Sequence, residues 1–147
     1  ILSSIKIAAA LERIADYAKN TAKRSIVLSQ TTSPSAGIAG IERLGRLVRT
    51  ALKDVLDAFA QGDVAKARDV WERDEEIDQV YTGLFRELLT YMIEDPRTVA
   101  RALHLLLIAR NYERIADHAT NIGEDVVFFV EGRDIRHLAP ADFADRH

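Results

Sequence analysis

A ten-residue segment occurs twice in this chain of 147 residues, and that duplication constrains the fold more than any other feature. Leu11 to Asn20 reads LERIADYAKN and Tyr112 to Asn121 reads YERIADHATN. At an offset of 101 the two agree at seven of ten positions, keeping Glu-Arg-Ile-Ala-Asp, then an alanine one residue on and an asparagine two further. Two amphipathic helices of similar composition do not share so much by accident. A duplicated helix with the same acidic pair on each copy implies a duplicated site.

The helical period organises the rest. From Ser4 to about Leu28, Ile7, Ala8, Leu11, Ile14, Ala15, Ala18 and Ala22 recur at spacings of three and four, the pattern of an amphipathic helix. Ser29 to Gly40, reading SQTTSPSAGIAG, is the one clear linker. Beyond it Ile41, Leu44, Val48, Ala51, Val55 and Phe59 define a second helix that ends near Gly62. Asp63 is placed to cap a third, running from about Val64 to Glu94. Asp95-Pro96 restarts a fourth, whose apolar positions Ala102, Leu105, Ala109, Tyr112, Ala116, Ala119, Gly123 and Val126 continue to about Val130. No segment alternates as a strand does. The expected fold is all-α: an antiparallel three-helix bundle joined by short turns, preceded by a lone helix that belongs to a similar but incomplete unit. That lone helix must pack on the bundle, pair with another copy, or fray.

Composition narrows the function. With 48% hydrophobic and 29% charged residues the chain can bury a core, and a net charge of −3 with interspersed bases leaves no footprint for nucleic acid. The lack of cysteine removes disulfides, thiolate zinc sites and thiol catalysis, and fits a reducing compartment. The longest apolar run, Ala102 to Ala109, is broken by His104 and falls well short of the ~20 residues that span a membrane. Lys6, Glu12, Arg13 and Asp16 interrupt any signal-peptide core. The chain opens at Ile1 with Met92 its only methionine, and its first element is the tail of a repeat, so it is expected to be a piece of a longer protein.

The chemistry of the motif follows from its geometry. At 100° per residue, Glu113, Asp117 and Asn121 fall within ~80° of one another, as do Glu12, Asp16 and Asn20, forming a stripe beside the apolar face. Two carboxylates one turn apart repel by a few tenths of a kcal/mol, and repetition of that cost suggests a compensating cation, either Arg13 and Arg114 or a metal ion. Asp74 and Asp78 repeat the spacing on the third helix, with Glu75 beside them. In an antiparallel hairpin opposed residues share an index sum. Asp74 with Asp117 and Asp78 with Glu113 both give 191, and half of that falls on the Asp95-Pro96 turn. Four carboxylates are therefore expected to meet between the third and fourth helices, a donor set for a hard or borderline divalent or trivalent cation.

The plainer readings are solvated helix faces or arginine pairs. No Glu-x-x-His is present, which disfavours a ferritin-like di-iron oxidase. His118 points about 100° away from Asp117 and reads as a surface or interface residue, and His104 as packing or surface. Trp71, Tyr81, Tyr91 and Tyr112 sit at core spacing. Asn20 and Asn121 could reach a ligand or bond a neighbouring helix. No nucleophile elbow, glycine-rich phosphate loop or nucleophile-base pair occurs, so no catalytic site is expected.

LERIADYAKN and YERIADHATN resemble the signature of the PhoU family of phosphate-transport accessory regulators, and GDVAKARDVWERDEEID, from Gly62 to Asp78, is similar to that family's second-helix segment. The resemblance covers nearly the whole chain apart from the linker and the tail after about Gly132. It implies tandem three-helix repeats, with residues 1–28 the last helix of a first, incomplete repeat, 29–40 the linker, 41–131 the second repeat and 132–147 an irregular tail. It further implies bound metal, iron or zinc, on Asp74, Asp78, Glu113 and Asp117, and an equivalent site on Glu12 and Asp16 whose facing acids are missing here. Many relatives have glycine where Ala15 and Ala116 stand, a mild departure.

The implied role is a cytoplasmic negative regulator that links the ATPase subunit of a phosphate ABC transporter to a sensor histidine kinase, peripheral to the membrane at most through those partners. Self-association as a homo-oligomer, such as a dimer, is expected from the apolar face of the first helix. The alternatives are a metal-storage or di-metal helical bundle and a purely structural adaptor.

Overall fold

Gly62 ends one helix and Asp63 begins the next, which shows how local chemistry punctuates this chain. At φ 65° the glycine adopts the left-handed conformation that closes a helix, its N–H reaching the Ala58 and Phe59 carbonyls. One residue later the Asp63 carboxylate accepts from the Lys66 N–H at 3.0 Å. The computed structural model describes residues 2–30 and 37–132. Among them are four long helices and no strand: α1 Leu2–Ser29, α2 Ile38–Gln61, α3 Val64–Glu94 and α4 Val99–Glu131. The fold is all-α.

Two boundaries differ from the sequence reading. The second helix begins at Ile38, so Ile38 to Gly40 belong to α2 and not to the linker. Gly37 makes this possible: it sits at φ 82° beneath Leu88 and Leu105, where a side chain would be strained and a Cβ would come within 2.8 Å of Leu88. At the other turn Asp95 caps as expected, accepting from the Arg97 N–H, but Pro96–Thr98 form a 3₁₀ turn and α4 proper starts at Val99. Residues 31–36 of the linker and 133–147 of the tail lie outside the described residues.

α2, α3 and α4 pack on one another as an antiparallel bundle. Leu44, Val48, Ala51 and Val55 of α2 meet Val70, Ile77, Leu84 and Leu88 of α3 and Leu105, Ala109, Ala116, Ala119 and Val126 of α4 in the core, all nearly inaccessible to solvent. Phe59, assigned to the apolar face of its helix, is 39% exposed at the bundle end. The aromatic side chains Trp71, Tyr81, Tyr91 and Tyr112 pack against the core.

α1 lies outside these three helices and packs along α4. Its buried face corrects the sequence reading. Ile7 and Ile14 are buried as expected, but they are joined by Ala10 and Thr21, whereas Ala8, Leu11, Ala15, Ala18 and Ala22 are exposed. The seam uses heptad spacing: Ile7 and Ile14 on α1, and Ile108, Ile115 and Ile122 on α4, a second buried stripe beside the one turned toward α2 and α3. α1 therefore has no separate core. Its Ile7, Ala10 and Ile14 continue the main one.

The duplication sets the geometry of this seam. Tyr17 stacks against His118, Asn20 meets Asn111, and Arg24 meets His104, so later residues of α1 face earlier residues of α4 and the helices are antiparallel. Tyr17 and His118 are the same position in the two repeats, since 17 plus 101 is 118. Equivalent residues of antiparallel copies touch only where a local twofold axis passes between them. The five exposed residues Ala8, Leu11, Ala15, Ala18 and Ala22 then correspond to Ala109, Tyr112, Ala116, Ala119 and Gly123, which on α4 pack against the rest of the bundle.

Candidate functional site

The acids of α3 and α4 are placed by the core residues between them. Ile77 is buried at 3% exposure, which sets Asp74 and Asp78 on the flank of α3, and Ile115 with Ala116 does the same for Glu113 and Asp117 on α4. Because the two helices pack side by side, these flanks face a common edge. Asp74, Glu113 and Asp117 are half-buried there and Asp78 is exposed.

The four carboxylates act on one another electrostatically, with Asp117 at the centre. Burial raises the Asp74 carboxyl to about 6, helped by the charges of Asp78 and Asp117 and opposed by a hydrogen bond from Thr120. Burial also raises Asp78, with Asp117 and Glu75 adding to it. Glu113 is pushed up to about 7, first by burial and then by its hydrogen bond with Asp117 and the charge of Asp117, against the pull of Arg110 and Arg114. Asp78 and Glu113 are thus each coupled to Asp117. Arg110 also pairs with Glu113 along α4 at 3.0 Å.

Arg110, not Arg13 or Arg114, is thus the arginine paired with the motif in α4, and neither it nor Thr120 was singled out from sequence. The Arg110–Glu113 spacing of three was the available signal. The second acidic pair stands apart: Glu12 and Asp16 lie on the exposed side of α1 with no acids of another helix against them among the described residues. Asn20 accepts from Arg24 at 3.0 Å and from Asn111 at 3.4 Å, so it is a seam residue. His118 lies at the helix interface, its ring centroid 5.9 Å from that of Tyr17. Burial lowers its pKa, Asp117 opposes that shift, and Arg13 and Arg114 reinforce it.

In kind, the donor set fits a cation. It offers only hard oxygens, it is self-repelling as it stands, and the buried Oδ1 of Asp74 accepts no hydrogen bond. In arrangement, no three His, Asp or Glu side chains among the described residues already converge on one point, so chelation requires side-chain rotation. The described residues also include no helix long and apolar enough to cross a membrane.

Comparison with known proteins agrees with the helical bundle. The family described as PhoU domain matches residues 41–126, the span of α2 to α4. The chain is 48% identical over 139 residues to the phosphate-specific transport system accessory protein PhoU homolog of Caulobacter vibrioides, covering 95% of this chain and 60% of that protein. It is 49% identical over 142 residues to the counterpart from Rhizobium meliloti, covering 97% and 60%. The crystal structure of PhoU from Pseudomonas aeruginosa superposes with a TM-score of 0.87 at 39% identity, over 90% of this chain and 63% of that one. The phosphate transport system regulatory protein PhoU from Streptococcus pneumoniae gives 0.81 at 27% identity, over 90% and 62%. The chain spans about 60% of the length of the curated relatives it matches.

Proposed function

Since the chain belongs to the PhoU domain family, we propose that it is part of a cytoplasmic regulator of phosphate uptake that holds the phosphate-starvation response down when phosphate is ample. In this reading it acts by contact, between the ATPase subunit of a phosphate ABC transporter and a sensor histidine kinase, and performs no catalysis. The observation that carries the proposal is the coincidence of the family match, over residues 41–126, with the bundle that holds the acidic cluster. The test uses the whole protein that contains this chain. Supplied to a bacterium lacking its own homologue, it should restore repression of a phosphate-starvation reporter in phosphate-rich medium and co-purify with the transporter ATPase. Unrepressed reporter with abundant folded protein would sink the proposal.

Within that role we assign Asp74, Asp78, Glu113 and Asp117 as the groups that would hold iron or zinc, with Glu12 and Asp16 the corresponding half of a second site. A bound cation would neutralise the repulsion now centred on Asp117. Protein purified without metal-bearing resin should contain metal, and the double variant Asp78→Asn, Asp117→Asn should lose most of it while keeping its helix content. Equal metal in the two proteins would exclude these residues.

The organisation proposed is a second repeat over 41–131 and, in residues 1–28, the last helix of a first. Its support is the correspondence between the exposed stripe of α1 and the residues of α4 that pack against α2 and α3. Left in water, that stripe costs about 25 cal/mol for each Å² of apolar area, which favours self-association of the chain as a dimer wherever no other helices cover it.

A further inference from the structure

The seam between α1 and α4 is built by a local twofold axis, yet its two halves differ. On one side of Tyr17 and His118 the seam is closed: Asn20 is bonded by Arg24 and by Asn111, and Arg110 stands beside it. In the symmetry-related half, Asn121 takes the place of Asn20, while Ala9 and Ala10 stand where the first half has Arg110 and Asn111. The small side chains leave a cavity of about 400 Å³, with Lys6 and Arg13 on its α1 wall and His118 and Asn121 on its α4 wall. That volume lies within the range of small-ligand sites.

The basic and neutral polar groups of this cavity are Lys6, Arg13, His118 and Asn121. Lys6 and Arg13 make no ion pair with a carboxylate among the described residues, and Arg114, one turn before His118 on the same stripe of α4, acts on Glu113 only through its charge. Arg13 and Arg114 lie close enough to His118 for their charges to act on its imidazole. Two carboxylates, Glu124 and Asp125, also line the cavity; each has an interaction of its own and Glu124 is buried. Arginine occupies the same position in both repeats, and neither copy forms an ion pair with the acid beside it among the described residues. The cavity side chains Arg13, Lys6 and Asn121 offer a planar guanidinium fork, an ammonium group and a carboxamide as donors, with no acceptor bound to them among the described residues.

We propose that this cavity binds a doubly charged oxyanion, held by Lys6 and Arg13 of α1 and by Asn121 and His118 of α4, with Arg114 adding to the positive field. The guanidinium of Arg13 presents paired N–H groups suited to two oxygens of a phosphate-like group, and the Asn121 amide donates from the opposite wall. The site rests on the seam alone and not on the regulatory role or the acidic cluster. It is open enough to take either a free inorganic anion or the phosphate group of a small phosphorylated compound.

The test is a titration of ¹⁵N-labelled protein at constant ionic strength with inorganic phosphate, sulfate, glycerol phosphate and acetate. Phosphate and sulfate should give saturable amide shifts centred on Arg13, His118 and Asn121, and acetate should give none. Tighter binding of glycerol phosphate assigns the anion to a carried phosphate group, and tighter binding of inorganic phosphate assigns it to the free ion. Arg13→Gln should weaken binding roughly tenfold, the scale of one charge-assisted hydrogen-bond pair, and Arg86→Gln on α3 should leave it unchanged. Both arginines are exposed on helix surfaces, so the variants should fold. Absence of saturable shifts, equal shifts with acetate, or indifference to Arg13→Gln would overturn the proposal.

Discussion

Replacing Asp117 with asparagine should stabilise this protein when no metal is present, although it removes a charged residue from the duplicated motif. Asp74 is raised to about 6 and Glu113 to about 7, so both hold protons more tightly in the folded chain than in the unfolded one. A carboxyl group raised by folding costs stability once the pH passes its folded value and costs nothing below its ordinary value. The penalty is therefore absent near pH 4, grows between about 4 and 7, and is complete above that.

At about 1.4 kcal/mol per pH unit of displacement the Asp74 penalty has a ceiling of roughly 3 kcal/mol, which solvent at this partly open edge reduces to about 2 kcal/mol at neutral pH. Burial supplies the largest part, and water screens the charge part at this partly open edge, so neutralising Asp117 should return roughly 1 kcal/mol. Urea unfolding with chelator should show the variant more stable than the wild type by about that amount at pH 7.5, with the difference vanishing near pH 4.5. Added iron or zinc should reverse the order, because only the wild type gains binding energy. A variant less stable than the wild type at pH 7.5 in chelator, with normal helix content, would refute the reasoning.

Three further outcomes are expected. Gly37→Ala should destabilise by about 1–2 kcal/mol, since φ 82° disfavours a side chain and the new Cβ meets Leu88, and the loss should appear as a lower urea midpoint. Ile14→Ala should cost about 2 kcal/mol and speed amide exchange along α1, whereas Leu11→Ala, at a residue 36% exposed, should cost less than about 0.5 kcal/mol. Thr21→Val should stabilise by about 1 kcal/mol in thermal or urea unfolding, because the Thr21 hydroxyl is buried in the seam without a partner and the repeat places Ile122 at the equivalent position.

Three features were legible in the sequence for physical reasons: the helices, the caps at Asp63 and Asp95, and the meeting of α3 with α4. Each depends on spacing along one chain or across one short turn. The index sum of 191 brought Asp74 and Asp117 to the same edge because the Asp95-Pro96 turn is short enough to fix the register. It says nothing of pairs within one helix, so the Arg110–Glu113 ion pair at 3.0 Å was not anticipated. The start of α2 was missed because Gly37 and Gly40 read as linker until Leu88 and Leu84 are known to lie beneath them.

The face of α1 was misread for an instructive reason. Two stripes, one centred on Ile7 and Ile14 and the other on Ala8, Leu11, Ala15, Ala18 and Ala22, overlap into one broad apolar arc, and periodicity cannot separate them. The duplicated segment can. On α4 the same arc divides into Ile108, Ile115 and Ile122, which include the seam, and Ala109, Tyr112, Ala116, Ala119 and Gly123 against the bundle. A residue kept in both copies is therefore under two demands at once. Ile14 and Ile115 join the copies, Ala116 packs in the bundle where its counterpart Ala15 is exposed, Glu113 and Asp117 line the bundle's edge where Glu12 and Asp16 are exposed, and Arg13 and Arg114 form no ion pair among the described residues.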